Sequence, residues 1–99
     1  MSENKNYDYL NLIPIFPTGV TLRKQRNRGF LIGKGIVFLL NASAVRILEQ
    51  CDGKNSIQDI LGNLKNTFVF RENYDLQSEV TEFIRKLIDA NVILAKKGT

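Results

Sequence analysis

The chain has 99 residues, 43% of them apolar and 24% charged, which is the composition of one ordinary globular domain, neither disordered nor fibrous. It contains no histidine and a single cysteine, Cys51. That removes the commonest general base, every Ser/His or Cys/His dyad and a structural zinc site, so the sequence is expected to encode neither an enzyme nor a cofactor-binding protein. No internal disulfide is possible with one cysteine, no run reaches the ~18 apolar residues of a membrane span, and the acidic N-terminus does not read as a signal peptide; a cytoplasmic protein is expected.

Residues 1–6 are polar. Residues 7–17 hold Tyr7, Tyr9, Leu10, Leu12, Ile13, Ile15 and Phe16, with Pro14 and Pro17 opposing a helix. They are expected to form an extended arm over residues 1–17 that packs on the domain of residues 18–99. Such an arm can dock in its own chain or in a neighbouring copy, which leaves a homodimer open.

Alternation of Val20 and Leu22 with Thr21 and Arg23 predicts a strand over residues 19–24. A turn over 25–29, a short strand over 30–32, a tight connection at Gly33-Lys34-Gly35 and a third strand over 36–40 complete an antiparallel meander. The third strand is apolar on both faces, with Ile36, Phe38 and Leu40 on one side and Val37 and Leu39 on the other. One of those faces needs a cover that a single-layer sheet does not supply.

Asn41 or Ser43 caps a first helix whose stripe runs through Ala44, Val45, Ile47, Leu48 and Cys51 before Asp52-Gly53 ends it. Ser56 and Asp59 have capping-box spacing and open a second helix with Ile57, Ile60, Leu61 and Leu64 inward. Residues 66–74 read as a loop carrying Phe68, Phe70 and Tyr74, which either seal the core or contact a partner. Asp75 caps a third helix over residues 76–90, Asn91 ends it, and residues 92–94 close the chain as a short strand or extended tail. Three strands followed by three helices make an α+β, winged helix-turn-helix-like fold.

The net charge of +4 is unevenly placed. Between Asp8 and Glu49 there is no acid, but Arg23, Lys24, Arg26, Arg28, Lys34 and Arg46 fall there. This basic hairpin is either a solvated loop or an interaction patch. Winged helices often bind DNA, yet the third helix carries Glu79, Glu82 and Asp89 against Arg85 and Lys86, which would repel phosphates. Nucleic acid is therefore not the expected partner.

The run LNASAVRILEQCDGKNSIQDI, residues 40–60, resembles the signature of the pyrroloquinoline quinone biosynthesis protein D family, as does the run from Asp75 to Ile93 with Val80, Phe83, Leu87 and Val92. The resemblance covers roughly residues 18–95. It implies a peptide chaperone that binds the leader segment of a ribosomally synthesised precursor peptide and presents it to a modifying enzyme, often of the radical S-adenosylmethionine type. It further implies that the leader adds as a strand to Ile36, Val37, Phe38, Leu39 and Leu40, facing Thr81, Ile84, Arg85 and Ile88 on the third helix. The residues alone leave two readings of Ile84 and Ile88 open, groove wall or core, because Leu76, Val80, Phe83 and Leu87 already suffice for a core stripe. Cys51, Asp52, Gly53 and Asn41 are expected to shape the fold without touching the ligand. A scaffold that dimerises through the arm and binds no peptide is the remaining alternative.

Overall fold

The computed structural model describes residues 9–97. In chain order they form β1 (Leu12–Ile15), β2 (Thr21–Gln25), β3 (Arg28–Gly33), β4 (Ile36–Leu40), α1 (Ala42–Leu48), α2 (Ile57–Thr67), α3 (Leu76–Asp89) and β5 (Leu94–Lys97). The expected α+β order of a three-stranded antiparallel sheet followed by three helices is present, with the strands in the order β2-β3-β4.

The β2–β3 hairpin is tighter than its polar sequence predicts. Gln25 pairs with Arg28, so the turn shrinks to Arg26-Asn27 and β3 begins two residues earlier than expected. Ladder bonds need only backbone, and the basic side chains here stand out into water. Lys34 and Gly35 connect β3 to β4, both at positive φ (54° and 76°), as a two-residue hairpin turn that matches strand twist requires. Gly33 is a close approach rather than a hinge, since a Cβ there would lie 2.6 Å from Val20 Cγ2 and 2.9 Å from its Cα.

Alternation divides the sheet into unlike faces. Leu22, Leu31 and Phe38 are in register across the three strands and face the helices, with Leu31 fully buried. Phe30 and Ile32, paired with Leu39 and Val37, lie on the opposite face, where Val37 is 62% and Leu39 71% exposed. The cover that the doubly apolar β4 calls for is thus absent among the described residues.

Asn41 rather than Ser43 caps α1, its Oδ1 accepting from Ala44 N at 2.8 Å. The helix stops at Leu48, short of the Cys51 the apolar stripe predicts, because Gln50 N and Cys51 N donate to Ile47 O and Leu48 O and tighten the last turn. In α2 both capping-box bonds form: Asp59 N donates to Ser56 Oγ (3.1 Å) and Ser56 N to Asp59 Oδ2 (3.0 Å). This helix continues through Asn66 to Thr67, where a loop is predicted. Thr67 Oγ1 donates to Asn63 O at 2.8 Å and Phe68 N to Leu64 O, so the last turn is satisfied without a stop residue. Asp75 caps α3 by accepting from Ser78 N and Ser78 Oγ.

Two terminal segments differ most from expectation. Tyr9 and Leu10 are helical rather than extended, and the rest of the predicted arm before Tyr9 lies outside the described residues. Leu12–Ile15 then pairs antiparallel with Leu94–Lys97 of the same chain, Ile15 opposite Leu94 and Leu12 opposite Lys97. The closing strand starts where it was predicted to end, because Val92 and Ile93 turn inward and are 1% exposed. Asn91, at φ +61°, makes the bend that puts them there.

The core lies where the three helices meet the inner face of the sheet. Ile57, Ile60, Val80 and Ile84 are fully buried, and Leu48, Val92 and Ile93 nearly so. Each such side chain contributes roughly 1.5–3 kcal/mol relative to exposure. Gly53 joins arm and core: its N–H donates to Pro14 O at 3.0 Å, Ile15 bridges Asp52, and a Cβ on Gly53 would lie 2.6 Å from Ile15 Cδ1. The Asp52-Gly53 turn, at φ +81° for the glycine, is therefore the seat of the arm and lies beyond the end of α1 at Leu48 rather than at it.

Candidate functional site

Only one side of β4 is paired, with β3; the other has no strand partner among the described residues. Its sequence, IVFLL, contains no lysine, proline or charge of the kind that blunts an edge. Ile36, Val37 and Leu39 are exposed along it, Phe38 is half-buried against the core, and Leu40 is buried.

At its Leu40 end the edge opens onto a cleft of about 470 Å³. Leu39 and Leu40 form one wall, residues 41–44, 46 and 47 of the α1 entry the next, and Leu76, Glu79, Val80 and Phe83 of α3 the facing one. Leu64 of α2 and residues 68–70 and 74 close the end. Leu40, Ile47, Leu64, Leu76 and Val80 are buried, so the floor is apolar.

The far end is aromatic. Phe68 and Phe70 meet edge to face at 6.5 Å, and Phe70 stacks on Tyr74 at 5.5 Å with their planes 5° apart. The Arg46 guanidinium lies 4.6 Å from the Phe68 ring centroid. Aromatic pairs of this geometry add about 0.5–1.5 kcal/mol each, which orders a segment that otherwise exposes Phe70, Tyr74 and Val69.

The residues singled out from sequence separate into two groups. Leu39 and Leu40 line the cleft, and Ile36, Val37 and Phe38 continue the edge away from it. The α3 residues fall elsewhere: Thr81 and Ile84 are 8% and 0% exposed, Ile88 packs half-buried on the core, and Arg85 is exposed. Arg85 and Asp89 lie close enough to Tyr9 to shift its hydroxyl, whose pKa is raised by burial first and by Asp89 second, with Arg85 opposing. Arg85 of the expected flank thus lies near Tyr9, and Phe83, assigned to the core, packs half-buried against it and also lines the cleft. An apolar stripe fixes the width of a buried face, not which of its flanks borders the sheet edge.

Sequence reasoning missed Glu79, Phe83, Arg46 and the aromatic wall. The three aromatics clustered in a polar segment were the available signal. Asn41, expected only to shape the fold, supplies cleft wall.

Two buried side chains away from the cleft lining test burial. Thr81 Oγ1 is buried with no hydrogen-bond partner. Thr81→Val, which keeps the shape and removes the orphan hydroxyl, is expected to raise stability by about 1 kcal/mol in urea unfolding. Cys51 Sγ donates to Ile47 O, and its thiol pKa is pushed up to about 12 by burial and by Asp52. Unfolded, the thiol ionises near 9.0; folded, it stays neutral, so its contribution is whole below pH 9 and is lost as pH rises toward 12. Between pH 8 and pH 10 the wild type is expected to lose about 1 kcal/mol relative to Cys51→Ala in urea titrations, and thiol reagents should label Cys51 only after unfolding.

Among the described residues no helix is long and apolar enough to cross a membrane, and no group of three or more His, Cys, Asp or Glu is placed to hold a metal. Residues 22–93 match the family described as Coenzyme PQQ synthesis protein D (PqqD). The chain is 33% identical over 82 residues to a protein named PqqA binding protein from Acinetobacter baylyi (strain ATCC 33305 / BD413 / ADP1), covering 80% of each. No solved structure matches it significantly. With a match spanning β2 to the turn after α3, together with the open strand edge and its cleft, the chain belongs to the PqqD family.

Proposed function

We propose that this protein is a peptide chaperone: it binds the leader segment of a ribosomally made precursor peptide and presents it to a separate modifying enzyme in the cytoplasm. The observation that carries this reading is the unpaired β4 edge opening onto an apolar cleft. An added strand satisfies the free donors and acceptors of the edge, and alternate side chains reach pockets that set selectivity. Leu39, Leu40, Val80 and Phe83 are the side chains such a strand would meet first. A role in pyrroloquinoline quinone biosynthesis follows from the family and from the relative's name, and a radical S-adenosylmethionine enzyme is the partner that the family resemblance implies. No catalytic role is assigned, since no activated nucleophile is in view: the cysteine is buried and its pKa raised. A dimer, if one forms, would exchange β1 between copies and reuse the β5 pairing in trans.

Isotope-edited NMR with a synthetic PqqA peptide tests the reading. Amides of Ile36–Leu40 are expected to gain protection from exchange, with cross-strand contacts from peptide to β4. Binding that leaves β4 amides unprotected would eliminate strand addition, and absence of binding to any nearby-encoded precursor would eliminate the chaperone.

A further inference from the structure

We infer that the peptide held in this cleft carries acidic side chains beside its apolar anchor, bound by Arg46 and Arg26. The inference rests on the peptide-binding reading above and names the ligand chemistry of the same site. Beside the main cleft lies a second opening of about 270 Å³, lined by Lys24, Arg26, Asn27, Ala42, Val45, Arg46 and Glu49. The two share Ala42 and Arg46, so one track runs from the apolar floor past Arg46 to the β2–β3 hairpin. Register explains the adjacency. Leu40 pairs with Gly29 and Gly29 with Lys24, which places the Arg26-Asn27 turn at the end of the sheet where β4 enters α1.

Charge along that track is one-sided. Lys24 is paired with Glu49 at 2.6 Å, which leaves Arg26 and Arg46 with no carboxylate at ion-pair distance among the described residues. The Arg46 guanidinium carbon lies over the Phe68 ring at 4.6 Å, and among the described residues no carboxylate engages its N–H groups, which remain able to grip one from a ligand. Arg26 occupies a left-handed backbone position (φ 56°) that glycine or asparagine takes with less strain. The cleft's own acid, Glu79, belongs to α3, so acids on the ligand are repelled there and favoured at the α1 and hairpin end. The basic hairpin of the sequence thus gains a ligand: the acidic flank of an extended apolar peptide.

Selection of randomised peptides of about a dozen residues displayed on their own mRNA, against the full chain and against the Arg26→Gln/Arg46→Gln variant, tests this. The wild type is expected to enrich apolar anchors with Asp or Glu toward one end, and the variant to enrich the anchors alone. In fluorescence anisotropy, changing those acids to amides in the most enriched peptide should weaken wild-type binding about five- to tenfold and binding to the variant less than about twofold. Raised salt should reproduce the wild-type loss. Anchors without acids, or equal acid enrichment by both proteins, would overturn the inference and leave the peptide reading standing. No enriched peptide at all would overturn both. Both arginines are exposed, so thermal unfolding should be unchanged; if Arg46→Gln shifts it through the lost Phe68 contact, Arg26→Gln alone decides.

Discussion

Ile84→Ala is expected to destabilise the fold by about 3 kcal/mol, because it removes three carbons from a fully buried site between helices. For a chain of this size that lowers Tm by roughly 12–24 °C. The number separates the two readings the sequence left open. A groove isoleucine, exposed in the free protein, would cost a few tenths of a kcal/mol and act on peptide affinity instead. Thermal unfolding followed by circular dichroism decides; a Tm within a few degrees of wild type would return Ile84 to the groove. The same contrast applies to Phe83, which should unfold the chain less and weaken the peptide more, as a half-buried residue on the cleft wall.

Leu39→Asp is the complementary experiment, expected to abolish measurable peptide binding while leaving Tm unchanged. Leu39 is 71% exposed, so the substitution buries no charge in the free protein. Once a peptide strand covers the edge, the carboxylate must be desolvated between the incoming strand and the apolar outer face that Leu39 shares with Phe30, which costs several kcal/mol and converts to more than about a hundredfold in affinity. Calorimetry with a synthetic PqqA peptide measures it. Retained affinity would move the ligand off the Leu40 end of β4. Lost affinity together with a lowered Tm would instead mean that Leu39 supports the fold.

These two experiments bear on a division visible in individual residues. The meander, the Asn41 and Asp75 caps and the Ser56-Asp59 box were legible because each depends on bonds within a few residues or on alternation along one strand. The unblunted edge of β4 was legible too, as an absence of charge and proline over five residues. Element ends were less so. Helix α2 runs on to Thr67 and β3 begins at Arg28 because backbone partners, which composition does not display, were available there.

By itself, then, the sequence determined the central meander and the three helices, which strand is fit to accept another, and that the chain has no histidine. Only the tertiary structure decided which α3 residues border the cleft, that Tyr9 lies near Arg85 and Asp89, and that Arg46 joins the aromatic wall to the basic hairpin. The physical reason is that a helix's apolar stripe is wide enough to pack at several rotations about its axis. The rotation adopted is set by what the stripe packs against: Ile84 is fully buried in the same core as Leu48, Val92 and Ile93, and Phe83 is left half-buried at the cleft.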